Sequence, residues 1–130
     1  MKKSLSAVMV GLLLSTAALA DDVVVIGNPA AAALTKDQVS NLFLGKTSGM
    51  KLLDQPDSSK IKADFYAKLG HDLSQVKATW SRLIFTGKGQ APREVPDSAA
   101  VKKAVAADPT AIGYIEKSDV DGTVKVLSTL

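Results

Sequence analysis

The chain has 130 residues, 46% of them hydrophobic and 22% charged, with no cysteine and a formal charge of +3. The lack of cysteine excludes disulfide cross-links, thiolate nucleophiles and the zinc or iron–sulfur sites that need thiolate ligands. Lys2 and Lys3 fall outside the expected mature chain; without them 14 basic side chains stand against 13 acidic ones, a charge of +1, so the balance gives no argument for nucleic acid.

Residues 1–20 read as a signal peptide. Lys2 and Lys3 form a charged start, Leu5–Ala17 is mostly apolar, and Ala18-Leu19-Ala20 is a small-x-small cleavage site before Asp21-Asp22. The apolar run is short for a membrane span, and no cysteine follows it to carry a lipid. The expectation is a soluble exported protein, periplasmic where the cell has an outer membrane, with no membrane span after cleavage. Residues 21–130 then form one domain of 110 residues with a single core.

Val23–Ile26 is an unbroken β-branched run ended by Gly27-Asn28-Pro29, the pattern of a buried strand of the kind found in parallel sheets. Thr35 with Gln38 matches a capping box, so a helix starts there, with Val39, Leu42 and Phe43 on one face and Gly45 as its C′ residue. Lys51–Leu53 is a short strand. A polar loop follows it, and a helix begins near Ser58 or Ser59 with Ile61, Phe65 and Leu69 as its core stripe. After Gly70, Asp72 and Ser74 compete to cap a helix carrying Leu73, Val76, Trp80, Leu83 and Ile84. Thr86–Pro92 is a loop, and Arg93–Val95 a brief extended piece. Asp97 caps a helix with Val101, Ala104 and Val105; Ala111–Ile115 is a buried strand whose Gly113 marks a close backbone approach; Val124–Leu127 is the last strand. Alternating strands and helices define an α/β class with a mainly parallel or mixed sheet.

The stretch Leu52–Tyr66 organises the rest. The first turn of a helix has N–H groups without internal partners and a positive partial charge, so a strand, a polar loop and an open helix end make a seat for an oxyanion. Asp57, Ser58 and Ser59 are also ordinary N-cap residues. Other chemistry finds little support. His71 has no Gly-x-Ser-x-Gly serine to activate and reads as a solvated loop histidine. Gly45-Lys46-Thr47 mimics the end of a P-loop, but Ser40 stands where a glycine is required, and the tripeptide follows a helix instead of opening one. The carboxylates are scattered, Trp80 belongs to the core, and Gly87-Lys88-Gly89 reads as a plain loop. No catalytic pair, metal site or cofactor is implied.

Four segments together resemble a known family. They are Leu34–Val39 through Phe43-Leu44-Gly45-Lys46, then Asp57-Ser58-Ser59, then Trp80-Ser81-Arg82-Leu83-Ile84-Phe85-Thr86-Gly87-Lys88-Gly89, and Pro109-Thr110-Ala111-Ile112-Gly113-Tyr114-Ile115. Their order resembles the periplasmic phosphate-binding proteins of ABC transporters, in particular small single-lobe relatives. The resemblance implies a three-layer α/β lobe like one domain of a type II periplasmic-binding protein, with helices flanking the sheet. It also implies a non-enzymatic binding module for phosphate or a related oxyanion, acting in transport or sensing. In the family a loop corresponding to Gln55–Ile61 holds phosphate through an arginine, an aspartate, a serine and a threonine. Asp57 and Ser59 match; Gln55 replaces the arginine, Lys60 a glycine and Ile61 the threonine. The arginine fork is therefore absent, and Lys60 or Lys62 restores the charge only if its side chain turns inward. The expected ligand set is Gln55, Asp57, Ser58, Ser59 and Lys60, using the serine hydroxyls and the N–H groups of Ser59, Lys60 and Ile61, with Asp57 selecting a protonated ligand. The chain has room for roughly one lobe. The alternative is a periplasmic interaction or regulatory protein that keeps the fold without the ligand, docking a transporter or membrane sensor or pairing with itself.

Overall fold

The computed structural model describes residues 22–130; the expected signal peptide and its cleavage site lie outside the described residues. The elements run β1 (Val23–Gly27), α1 (Lys36–Phe43), β2 (Lys51–Asp54), α2 (Lys60–Lys68), α3 (Leu73–Phe85), β3 (Arg93–Glu94), α4 (Ser98–Ala107), β4 (Ala111–Glu116), a single 3-10 turn over Lys117–Asp119, and β5 (Lys125–Thr129). The strands form one five-stranded sheet in the order β3-β2-β4-β1-β5. β2 runs parallel to both β3 and β4, whereas β1 runs antiparallel to both β4 and β5. The sheet is mixed.

All five β1 residues are buried, as an unbroken β-branched run requires, yet both of its neighbours are antiparallel. The parallel environment expected for Val23–Ile26 is thus corrected. Such a run reports cover on both faces, and that cover comes from helices packed on each side. Val23 and Val25 point into a cluster with Phe43 of α1, Phe65 of α2 and Trp80 of α3. Val24 and Ile26 point into a second cluster with Val101 and Val105 of α4. The period-2 alternation of a strand sorts them onto opposite faces, giving three layers: α1–α3, sheet, α4.

Local chemistry explains the element ends. Thr35 and Gln38 form the reciprocal capping box at α1. Gly45 closes that helix at φ 76°, a left-handed conformation that glycine adopts without strain. Asp97 caps α4 by accepting from Ala100 N–H at 2.9 Å. Gly113 lies where β4 passes under α4: a Cβ there would sit 2.5 Å from Val101 Cγ1 and 3.2 Å from Leu53 Cβ. The helical layer is packed by aromatic side chains, Phe65 stacking on Tyr114 with centroids 4.0 Å apart and meeting Phe43 edge-on at 4.8 Å. Trp80 is buried and donates its indole N–H to Phe43 O at 2.8 Å.

The stripe expected on α3 ends early. Val76 and Trp80 are buried and Leu73 and Leu83 partly so, but Ile84 is 51% exposed and the adjacent Phe85 91%. The last turn of α3 runs beyond the edge of the layer it packs on.

Candidate functional site

β2 and β3 are parallel neighbours, and each is followed by a helix. The chain leaves β2 for α2 on one face of the sheet and leaves β3 for α4 on the other. Adjacent parallel strands whose connections depart to opposite faces open a crevice at their carboxyl ends, and ligands of open α/β sheets bind there. The crevice is a cleft of about 500 Å³ lined by Gln55, Ser58 and Ser59 on one side and Pro96, Asp97, Ser98, Ala99, Lys102 and Asp119 on the other. The N-termini of α2 and α4 both open onto it.

Gln55 forms the floor. It is 3% exposed, and its backbone N–H and both ends of its side-chain amide are engaged. Its amide nitrogen donates to Tyr114 O at 3.1 Å and to Ser98 Oγ at 3.3 Å, its side-chain oxygen accepts from Ser59 Oγ at 2.7 Å, and its backbone N–H donates to Asp54 Oδ1 at 2.8 Å. One side chain thereby ties β2 to β4 and to the starts of both helices.

Ser59 is the N-cap residue of α2, but its hydroxyl makes no cap bond because it is turned to Gln55. The Ser59 N–H, expected to face a ligand, instead donates to Pro56 O at 2.8 Å. The N–H groups of Lys60 and Ile61 find no acceptor among the described residues, which leaves the first turn of α2 open. The Lys60 side chain is exposed and takes no part in the cleft wall.

Asp57 also lies outside the cleft lining. Its carboxylate bridges Lys77 of α3 and Lys62 of α2, with Lys62 Nζ at 2.9 Å. Hydrogen bonds from Lys77 first and Lys62 second hold its acid dissociation below the usual carboxylate range. The structure thus brings Gln55, Ser58 and Ser59 together and sets Asp57 and Lys60 apart. Of the two lysines considered for charge compensation, Lys62 is the one that turns inward, its side chain 8% exposed and pointed at Asp57 and Asp54. His71, read from sequence as a solvated loop residue, is half-buried, with Nε2 3.3 Å from Ser40 Oγ on α1.

Sequence reasoning missed two parts of this region. The first is Ser98 with Lys102, which form the α4 wall. Lys102 Nζ sits 3.1 Å from Asp121 Oδ2 and 2.9 Å from Asp119 O, placing a cation beside the cleft. The available signal was the Asp97-Ser98 cap, a second helix start of the same kind as Ser58-Ser59. The second is Asp54, buried at the end of β2. It accepts hydroxyls from Tyr66, at 2.7 Å, and from Tyr114, and Lys62 Nζ stands 3.9 Å away. Burial, and then the neighbouring Asp54 charge, push both phenols well above the normal tyrosine range.

No family model matches the chain, and no curated protein matches it. Solved structures do. A phosphate ABC transporter substrate-binding protein from Clostridium perfringens, with bound phosphate, superposes at a TM-score of 0.66 with 19% identity, covering 82% of this chain and 44% of that one. An ABC-type phosphate transport receptor from Vibrio cholerae gives 0.65 and 19%, covering 82% and 46%. PstS from Borrelia burgdorferi gives 0.62 and 13%, covering 98% and 65%. The fold is therefore that of these substrate-binding proteins, as the four sequence segments led us to expect. The chain spans about half the length of the first two and about two thirds of the third.

Proposed function

We propose that the chain is an oxyanion-binding module, a single lobe of the periplasmic-binding-protein kind, that takes phosphate or a related oxyanion in the cleft between the α2 and α4 N-termini. One observation carries this reading: two helix starts meet at the carboxyl ends of two parallel strands, and the first turn of α2, next to Ser58 and Ser59 in the cleft lining, has N–H groups at Lys60 and Ile61 with no acceptor among the described residues. The binding groups are these two N–H groups, the hydroxyls of Ser58 and Ser98, and the Lys102 ammonium, while the Ser59 hydroxyl, donated to Gln55, holds the loop in place. Gln55 acts as the clamp that holds the two helix starts together. Asp57 anchors α2 to α3, and with Lys62 and Lys77 it keeps a compensated charge at the lip. Asp97 and Asp119 also line the cleft, so the ligand is better accepted as a monoanion than as a dianion. Binding without chemistry fits the structural neighbours, two of which are named for substrate binding or transport reception. Export to the periplasm follows from residues 1–20, and delivery to an ABC transporter or membrane sensor is the corresponding role. Equilibrium dialysis of residues 21–130 against radiolabelled phosphate tests the site. Saturable uptake that weakens in the variant carrying Ser58→Ala and Ser59→Ala supports it; uptake that the double substitution leaves unchanged sinks the assignment.

A second reading has its own observation. Phe85, 91% exposed, sits beside Ile84 at 51%, and exposed aromatic anchors next to aliphatic ones are a common nucleus of protein contacts. Such a patch suits docking to a transporter, a sensor or a second copy. Sedimentation across a concentration series decides the self-pairing version: a dimer that Phe85→Ser dissolves supports it, and a monomer at every concentration removes it.

A further inference from the structure

A larger cavity lies elsewhere, at the other end of β2. β3 pairs only with Leu53 and Asp54, so among the described residues Lys51 and Leu52 have no strand on that side. The chain from Thr86 to Pro92 arches over the gap. Small residues leave the space beneath it unfilled: Ala104 and Ala107 of α4 on one side, and Gly89, whose backbone lies close enough to Trp80 that a Cβ would stand 3.4 Å from Cζ3. The result is a cavity of about 680 Å³, within the range of about 300–1,000 Å³ typical of small-molecule sites.

Its walls and its mouth differ in character. Met50, Leu52 and Trp80 give an apolar interior. Lys88 and Arg93 stand in the lining, and neither forms an ion pair among the described residues. The one carboxylate there, Asp108, is already engaged by Lys51 at 3.1 Å and by Thr110. An apolar chamber with two uncompensated cations is complementary to a molecule with an apolar tail and a negatively charged head. A small inorganic oxyanion would leave the apolar walls unused.

We infer that this cavity is a second ligand site, which takes a single-chain amphiphile bearing a carboxylate, tail against Trp80 and head toward Lys88 and Arg93. It is independent of the oxyanion cleft and stands whether or not that cleft binds phosphate.

The chain has one tryptophan, and it lines this cavity, so its emission reports occupancy directly. Residues 21–130 are titrated with dodecanoate below its micelle concentration, with dodecyltrimethylammonium and inorganic phosphate as controls. The expected result is a saturable change in Trp80 emission with dodecanoate alone. Lys88→Ala with Arg93→Ala, both exposed positions, should weaken binding about fivefold, the effect of removing two exposed charges. Ala107→Phe, at the exposed last residue of α4, should place a ring in the cavity lining and weaken the response. No saturable change with the wild-type chain overturns the inference. So does a response of equal strength to the cationic amphiphile, or one that persists undiminished in both variants.

Discussion

The Ser59 hydroxyl donates to the Gln55 side-chain oxygen at 2.7 Å, so the residue that begins α2 braces the loop before the helix and leaves the helix itself uncapped. The start of α2 is thus held in place by a side chain and left open at its N–H groups. Ser59→Ala removes the only hydroxyl donated to Gln55 among the described residues and leaves its buried amide oxygen without a partner among them. The expected cost is about 1–2 kcal/mol. Ser58→Ala removes an exposed hydroxyl with no hydrogen bond among the described residues and should stay within about 0.5 kcal/mol of the wild type. Urea unfolding of the two single variants gives the comparison.

Alkaline pH should unfold this protein early. Tyr66 and Tyr114 bury their hydroxyls against Asp54, and both phenols titrate far above the ordinary value of 10.0. For a group whose folded value is raised, the stabilisation is complete below the unfolded value and is lost as pH rises above it. Above about pH 10 each buried tyrosine should therefore remove up to about 1.4 kcal/mol per pH unit. Tyr66→Phe should halve the steepness of that loss. It should also cost about 1–3 kcal/mol at neutral pH, because Asp54 loses a donor. Thermal unfolding followed from pH 7 to 11.5 separates the two effects, and an unchanged alkaline slope in the variant contradicts the assignment.

In acid the sign reverses. Asp108 is lowered from 3.8 to about 2, first by the Thr110 N–H, then by the Thr110 hydroxyl and Lys51. Asp121 is likewise lowered to about 2, first by the Thr123 hydroxyl, then by its N–H and by Lys102. Their stabilisation is full above the ordinary carboxylate value and is lost as pH falls through about 4 towards 2. Asp57, lowered by Lys77 and Lys62, adds to the same loss. Asp121→Asn should flatten the melting temperature against pH in that window. An unaltered profile would show that the Thr123 and Lys102 contacts do not persist in solution.

Gly113→Ala tests how closely β4 and α4 approach. The added methyl meets Val101 at 2.5 Å and Leu53 at 3.2 Å. Both partners are buried, so the strand or the helix has to shift, and the cost should be about 1–3 kcal/mol. A neutral substitution would mean that the two elements pack less tightly than described.

Much of the scaffold was legible in the residues because the signals are local. Thr35 and Gln38 are three apart and cap one another; Gly45 and Gly113 mark a turn and a close approach that only a glycine tolerates. Direction and pairing were less legible. Val23–Ile26 declares that both its faces are covered, but no residue within it states that β4 and β5 run antiparallel to it. The Asp54 network was hidden because its partners, Tyr66 and Tyr114, lie 12 and 60 residues away. In the candidate site the stretch from Gln55 to Ser59 was visible as a loop before a helix start. Its opposite wall at Ser98 was not, because it depends on β3 pairing beside β2. Asp57 was read towards the ligand, whereas Lys77, 20 residues on, draws it to the outside of α3.

Whether the cleft between the starts of α2 and α4 holds an oxyanion, as proposed, is decided by a thermal-shift titration of residues 21–130 with phosphate, against sulfate and chloride. At about a hundred times its dissociation constant, a bound ligand adds roughly 2.7 kcal/mol of stability. The melting temperature should rise with phosphate beyond the rise with chloride at equal ionic strength, and the ligand-dependent part should shrink when Ser58→Ala and Ser59→Ala are combined. A melting temperature that does not respond to millimolar phosphate or sulfate, or a rise that the double variant retains in full, contradicts the claim.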